Sequence, residues 1–241
     1  MVNMNSIAPT NMNDQITISM ATIPERADGM IRVIQDLLPY CDNFDVCLNG
    51  YPSDVNYVGF NDPKINVIRM LVGDGAGAGG KFYASRRTPG YHITVDDDLL
   101  YPQDYVATLI RGLEKYKRQA IVGFQGSFIV QGNASLISLY HQNTLSQDIP
   151  VHMLGTGTMA YHTDSFNVDM TQFHPGKIDD QVAAMAHEAH VPMIVLAHDA
   201  DWLVEDRNMA LRRPLRRDLH ALEAARQRML GRIWTFNPMP E

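Results

Sequence analysis

The chain has 241 residues, 45% of them hydrophobic and 20% charged, an ordinary balance for one large globular domain with a substantial core. No run of about 18 uncharged apolar residues occurs, and the first 15 residues lack the charged and apolar blocks of a signal peptide, so the reading is a cytoplasmic protein without a membrane-spanning helix. The net charge of −7 is unevenly spread: Arg207 to Arg232 holds eight arginines against Asp218 and Glu223, so an acidic body ends in a basic tail suited to an anionic partner.

Residues 1–15 read as a flexible N-terminus. "ITISMA" (16–21) is a β-rich run, "TIPER" turns the chain, and "DGMIRVIQDLLPYC" spaces its apolar residues as a helix does. "FDVCLNG" predicts a second strand closed by Asn49-Gly50, and "INVIRMLV" a third that feeds a glycine stretch. Cys41 and Cys47, each in apolar context, suit packed, reduced thiols rather than a disulfide framework or a zinc site. "YHITV" is a fourth strand, and a helix follows over roughly 103–118. "AIVGFQGSFIV", "VHMLGTGTMAYH" and "MIVLAH" supply later strands, and "DDQVAAMAHEAH" a helix ending before Pro192. Strands alternating with helices predict an α/β domain over 16–204 with a mostly parallel sheet, and 205–241 reads as a basic tail, helical or mobile.

The glycine stretch "GDGAGAGGKF" (73–82) satisfies parts of two nucleotide-binding patterns. A phosphate-binding P-loop needs Ser or Thr after its lysine to hold magnesium, and Phe82 cannot. A dinucleotide fold needs a long helix behind the glycines, and Pro89-Gly90 leaves room for about two turns. What survives is a loop with Lys81 at its end, suited to an anionic ligand.

"HITVDDDLLYP" carries the stronger signal, because three carboxylates directly after an apolar strand call for a cationic partner. On an extended backbone Asp96 and Asp98 would share one face and reach one divalent cation together. With "TIPER", "VCLNGY", "GGKF", "DDDLLYPQDYV", "IVGFQG", "LGTGT" and "DWL", in that order across most of 18–204, the sequence resembles the GT-A-type glycosyltransferases. The likeness is greatest to the bacterial α-1,4-N-acetylglucosaminyltransferases of heparosan capsules, with a more distant one to exostosin-like enzymes. "DDDLLYPQDYV" and "LGTGT" are its specific pieces.

The resemblance implies a Rossmann-like GT-A sheet flanked by helices, a UDP-GlcNAc donor, Mn2+ or Mg2+ bridging its diphosphate to the aspartates, and transfer with retention of configuration. It implies a glucuronic-acid-ended polysaccharide as acceptor, a partner glucuronosyltransferase, work at the inner face of the cytoplasmic membrane, and no nucleic acid. Residue by residue, it assigns Asp98 and His198 to the metal, Asp96 to the metal or ribose, and Asp97 to the donor sugar or a structural contact. Lys81 goes to the uridine or diphosphate, and Arg26 and Asn49 to the uridine. Gly155, Thr156, Gly157 and Thr158 go to the donor sugar, and Asp179 with neighbouring Asp180 to the acceptor side; separately, the charge of the basic tail suits it to guide an anionic acceptor, with Arg207 closing over the diphosphate. His187 and His190, one helical turn apart without a third ligand, read as structural. Trp202 reads as an anchor for the tail or a sugar-stacking ring. The rivals are a nucleotide-sugar-binding subunit without transferase activity, a transferase using another UDP-hexose, and a nucleotidyltransferase, whose basic glycine motif should lie near the N-terminus.

Overall fold

The computed structural model describes residues 14–52, 61–70, 77–83, 88–129, 136–168 and 178–206. Gly75, Arg207 and the rest of the basic tail lie outside these residues. In chain order the elements are β1 (Gln15–Thr22), α1 (Ala27–Leu37), β2 (Asn43–Asn49), β3 (Ile65–Met70), β4 (Gly90–Val95), β5 (Leu99–Leu100) and α2 (Tyr105–Lys115). There follow β6 (Ile121–Gly123), β7 (Gly126–Ile129), β8 (Leu136–Leu139), β9 (Ile149–Val151), β10 (Met153–Leu154), β11 (Thr158–His162), α3 (Ile178–Glu188), β12 (Met193–Val195) and β13 (Val204–Glu205).

An eight-stranded sheet in the order β3-β2-β1-β4-β11-β6-β12-β9 forms the frame. β3, β2, β1 and β4 run parallel, as the alternation of strands and helices predicts, while β11 runs antiparallel between β4 and β6. Period-two alternation divides the apolar side chains between two cores. Ile18, Met20, Val46, Ile93 and Val95 face α1 and α2, which bury Met30, Val33, Ile34 and Leu109, Ile110, Leu113 at helical spacing. Met159, Tyr161, Met193 and Val195 join Phe82 and Val182 and Ala186 of α3 in the second core.

On β1, β2 and β4 the positions between those apolar residues are polar, and a buried hydrogen-bonded ladder runs across the strands. Ser19 Oγ lies 2.8 Å from His92 Nε2 and 3.4 Å from Asp45 Oδ2, Asn66 donates to Asp45 Oδ1 at 2.9 Å, and His92 Nδ1 meets the Tyr161 hydroxyl. Burial drives His92 down to about 3, so the ring is a neutral member of the ladder.

Topology places the site. From β1 the chain moves outward one way to β2 and β3, then returns to the other side of β1 with β4. The segments leaving β1 and β4 therefore diverge at their carboxyl ends and open a crevice, the usual ligand position in an open α/β sheet. Thr22 to Arg26 forms one lip and Asp96 to Asp98 the other.

Candidate active site

A cleft of about 700 Å3 opens at this switch point, and Arg26, Asn49, Lys81, Asp96, Asp97, Asp98, Gly155, Thr156, Gly157, Asp179 and Asp180 all line it. The carboxylates do not converge by strand alternation. β4 ends at Val95 and Asp96 to Asp98 lie on a turn, so its curvature, not the pleat, aims all three inward. The Tyr101 hydroxyl pins that turn, accepting from Asp96 N–H at 2.8 Å and lying 3.1 Å from the carbonyls of Asp96 and Gly157. This accounts for the aromatic residue in "DDDLLYP".

Both expected cations are present, but each is engaged with a carboxylate. Lys81 is 2% exposed, and its ammonium ion-pairs with Asp96 Oδ1 and lies 3.4 Å from the Thr156 carbonyl. The 3-10 turn Gly77–Phe82 sets this position, because Gly80 packs on Cys47 so closely that a Cβ would overlap the sulfur. Arg26 Nη1 reaches Asp97 Oδ1 at 2.8 Å and Asp98 Oδ2 at 3.0 Å. Both side chains assigned to the nucleotide by resemblance thus organise the aspartates first. Asn49 donates to the Gly77 carbonyl at 3.1 Å and ties the glycine turn to β2.

The "GTG" turn faces them. Asp179 Oδ1 accepts from Thr156 N–H at 2.9 Å and from Thr156 Oγ1 at 2.7 Å, so α3 holds the turn by its first residues. The two glycines leave space for protein side chains: a Cβ on Gly157 would overlap the Asp96 carboxylate, and one on Gly155 would lie 3.3 Å from Gln125 Cδ. Gln125, with Ser127, Ser138 and Tyr140, lines the same cleft. Sequence reasoning passes over these four because they are neutral and divided between two short strands and their ends; the alternate spacing in "QGS" and "SLY" is their one signal.

His198 does not join the cleft lining. Its Nδ1 lies 2.7 Å from the Leu196 carbonyl, its ring meets Phe124 edge-on, and its Nε2 is buried with no hydrogen-bond partner among the described residues. Trp202 packs against Phe124 at 4.6 Å and donates to Asp104 at 3.1 Å, which anchors the segment leading to β13. His187 Nε2 lies 3.0 Å from the His152 carbonyl, in keeping with a structural role. Cys41 and Cys47 are buried free thiols pushed up to about 12 by that burial, so neither is a nucleophile.

Burial raises the affinity of Asp97, Asp98 and Asp179 for protons. Burial, followed by the charge of Asp96, pushes Asp98 up to about 6. Burial also raises Asp97 against the pull of Thr22 and Arg26, and raises Asp179 against its bonds from Thr156. Asp97 Oδ2 is buried without a hydrogen-bond partner among the described residues. Hard oxygen donors with excess negative charge suit Mg2+ or Mn2+. Among the described residues no three His, Cys, Asp or Glu side chains are grouped to hold a metal unaided. The donor set therefore fits an ion held by one or two carboxylates and completed by ligand phosphates and water, the habit of Mg2+.

No family model matches this sequence, and no curated protein is detectably similar to it. Among solved structures the chain is similar to the crystal structure of S. aureus TarS 1–349, with a TM-score of 0.50 at 12% identity. The match covers 77% of this chain and 59% of that one. Together with the mostly parallel eight-stranded sheet, it shows a single α/β domain of GT-A type. No helix among the described residues is long and apolar enough to cross a membrane.

Proposed function

We propose that this GT-A-type chain is a metal-dependent glycosyltransferase that moves N-acetylglucosamine from UDP-GlcNAc to a glucuronic-acid-ended polysaccharide with retention of configuration. The observation that carries the reading is the charge of the cleft: five carboxylates against Arg26 and Lys81, both already paired. A bare diphosphate would be repelled there, and a divalent cation turns the same carboxylates into an anchor for it. Choice of donor sugar and of acceptor rests on the resemblance carried by "DDDLLYPQDYV" and "LGTGT".

Asp98 and Asp96 would hold the cation, whose charge, when bound, offsets that of the diphosphate. Arg26 keeps Asp97 and Asp98 in position, and Lys81 does the same for Asp96. Asp179 fixes Thr156, so the turn from Gly155 to Gly157 presents a rigid edge to the donor sugar. Fixed dipoles in place before the reaction supply most of the rate in such sites. Asp179 Oδ1 accepts both bonds from Thr156, which suits the residue to hold the turn rather than to abstract a proton. The acceptor hydroxyl proton then passes to the departing diphosphate oxygen as the bond from C1 to that oxygen breaks and the glycosidic bond forms. Arg207 and the arginines beyond it, outside the described residues, remain proposed contacts for the diphosphate and an anionic acceptor chain, and a glucuronosyltransferase the proposed partner.

A panel of UDP-sugars and acceptor oligosaccharides, with products read by mass spectrometry, tests the activity. Transfer of N-acetylhexosamine supports it. Nucleotide-sugar binding with no transfer to any acceptor would favour the binding-subunit reading instead.

A further inference from the structure

One wall of the cleft takes no part in the donor chemistry above. It belongs to the three-stranded sheet β10-β7-β8, where Ser127 on β7 stands directly opposite Ser138 on β8 with hydroxyl oxygens 3.0 Å apart. Gln125 lies two residues before Ser127, and Tyr140 two after Ser138. Gln125 and Tyr140 flank the serine pair just beyond the ends of β7 and β8, and all four line the cleft. The wall is therefore an amide, two hydroxyls and a phenol ring, with no charge, beside a floor dense in carboxylates.

Tyr140 is held for contact. Its N–H donates to Asn143 Oδ1 at 3.2 Å and its carbonyl accepts from Asn143 N–H at 2.9 Å, while the residue stays 49% exposed. The backbone is tied to Asn143 and the ring is left open, which offers a flat apolar surface to the cleft. A pyranose ring has the complementary chemistry: one face of C–H groups for the aromatic surface, and a rim of hydroxyls for amide and serine partners.

We propose that this wall is the acceptor subsite of the transferase. It seats the terminal pyranose of the acceptor on Tyr140, with Ser127, Ser138 and Gln125 reading its hydroxyls. The inference rests on the transferase reading. Gln125 stands against Gly155 and Tyr140 is the more open end, so the reacting hydroxyl points toward the "GTG" turn and the rest of the acceptor leaves over Tyr140. The wall reads hydroxyl pattern, and a uronic-acid carboxylate on the seated ring points away from it.

The test uses the full chain with UDP and MgCl2, and saturation-transfer NMR of methyl β-D-glucuronide, methyl β-D-glucoside and methyl α-D-N-acetylglucosaminide. At least one glycoside binds. Tyr140→Ala weakens it about fivefold to tenfold, the value of one aromatic contact, while Tyr140→Trp retains it and UDP affinity is unchanged in both. A Tyr140→Ala variant that binds as the wild type does, or failure of every glycoside to bind, overturns the subsite. Failure of UDP to bind the wild type would instead remove the transferase reading, and glycoside binding remains measurable without UDP.

Discussion

Gly157 and Asp96 share one space: the carboxylate of Asp96 occupies the volume that a Cβ on residue 157 would need. The glycine is thus a condition for the aspartate's position, set by a contact across 61 residues of chain. Gly157→Ala should push the Asp96 carboxylate aside by about 1 Å or more, since the added Cβ would lie 2.0 Å from Oδ2. Turnover should fall by about 100-fold, as misplacement on that scale costs, with a much smaller effect on the melting temperature. Kinetics near the wild-type level in this variant would show that the position of Asp96 does not matter.

Lys81 bears on stability as well as on the site. Its buried ammonium faces Asp96, whose side chain is 40% exposed, so water partly screens the pair. Lys81→Met keeps the packing of the stem and removes the charge, leaving Asp96 uncompensated. The expected loss is about 2–3 kcal/mol, or roughly 5–10 °C in Tm. Adding Asp96→Asn should recover much of it, which a double-mutant cycle would measure. An unchanged Tm in Lys81→Met would place the ammonium in solvent.

The parallel half of the fold is legible in the sequence because each strand there is an apolar run bounded by a turn, and "YHITV" followed by three aspartates marks a charged strand end. The pairing of Asp96 with Asp98 was legible too, although alternation is the wrong reason for it, since β4 stops at Val95 and the three carboxylates lie on the turn that follows. The engagement of Lys81 and Arg26 was not legible: a lysine after glycines looks like a free loop cation until the packing of Gly80 on Cys47 fixes its direction. The neutral wall was hidden for the same reason, because Ser127 and Ser138 become neighbours through the pairing of β7 with β8.

Asp98 links the site to pH. A carboxyl near 3.8 in the unfolded chain and about 6 in the folded one favours folding below both values, and that contribution is lost as pH rises through 6. The metal-free protein should therefore lose stability between about pH 4 and 6.5, and Asp98→Asn should remove part of that loss and melt higher than the wild type at pH 7. Added Mn2+ should raise the wild-type Tm at pH 7 and leave the variant nearly unmoved. A variant less stable than the wild type at pH 7 without metal would contradict this account of the charge.

The central claim is that the carboxylate floor binds a diphosphate through a divalent cation. Calorimetric titration of UDP into the full chain, with MnCl2 and then with excess chelator, tests it most directly. Binding with manganese, its loss with chelator, and its loss in Asp98→Asn are the results predicted. Equal UDP affinity with and without the cation would contradict it.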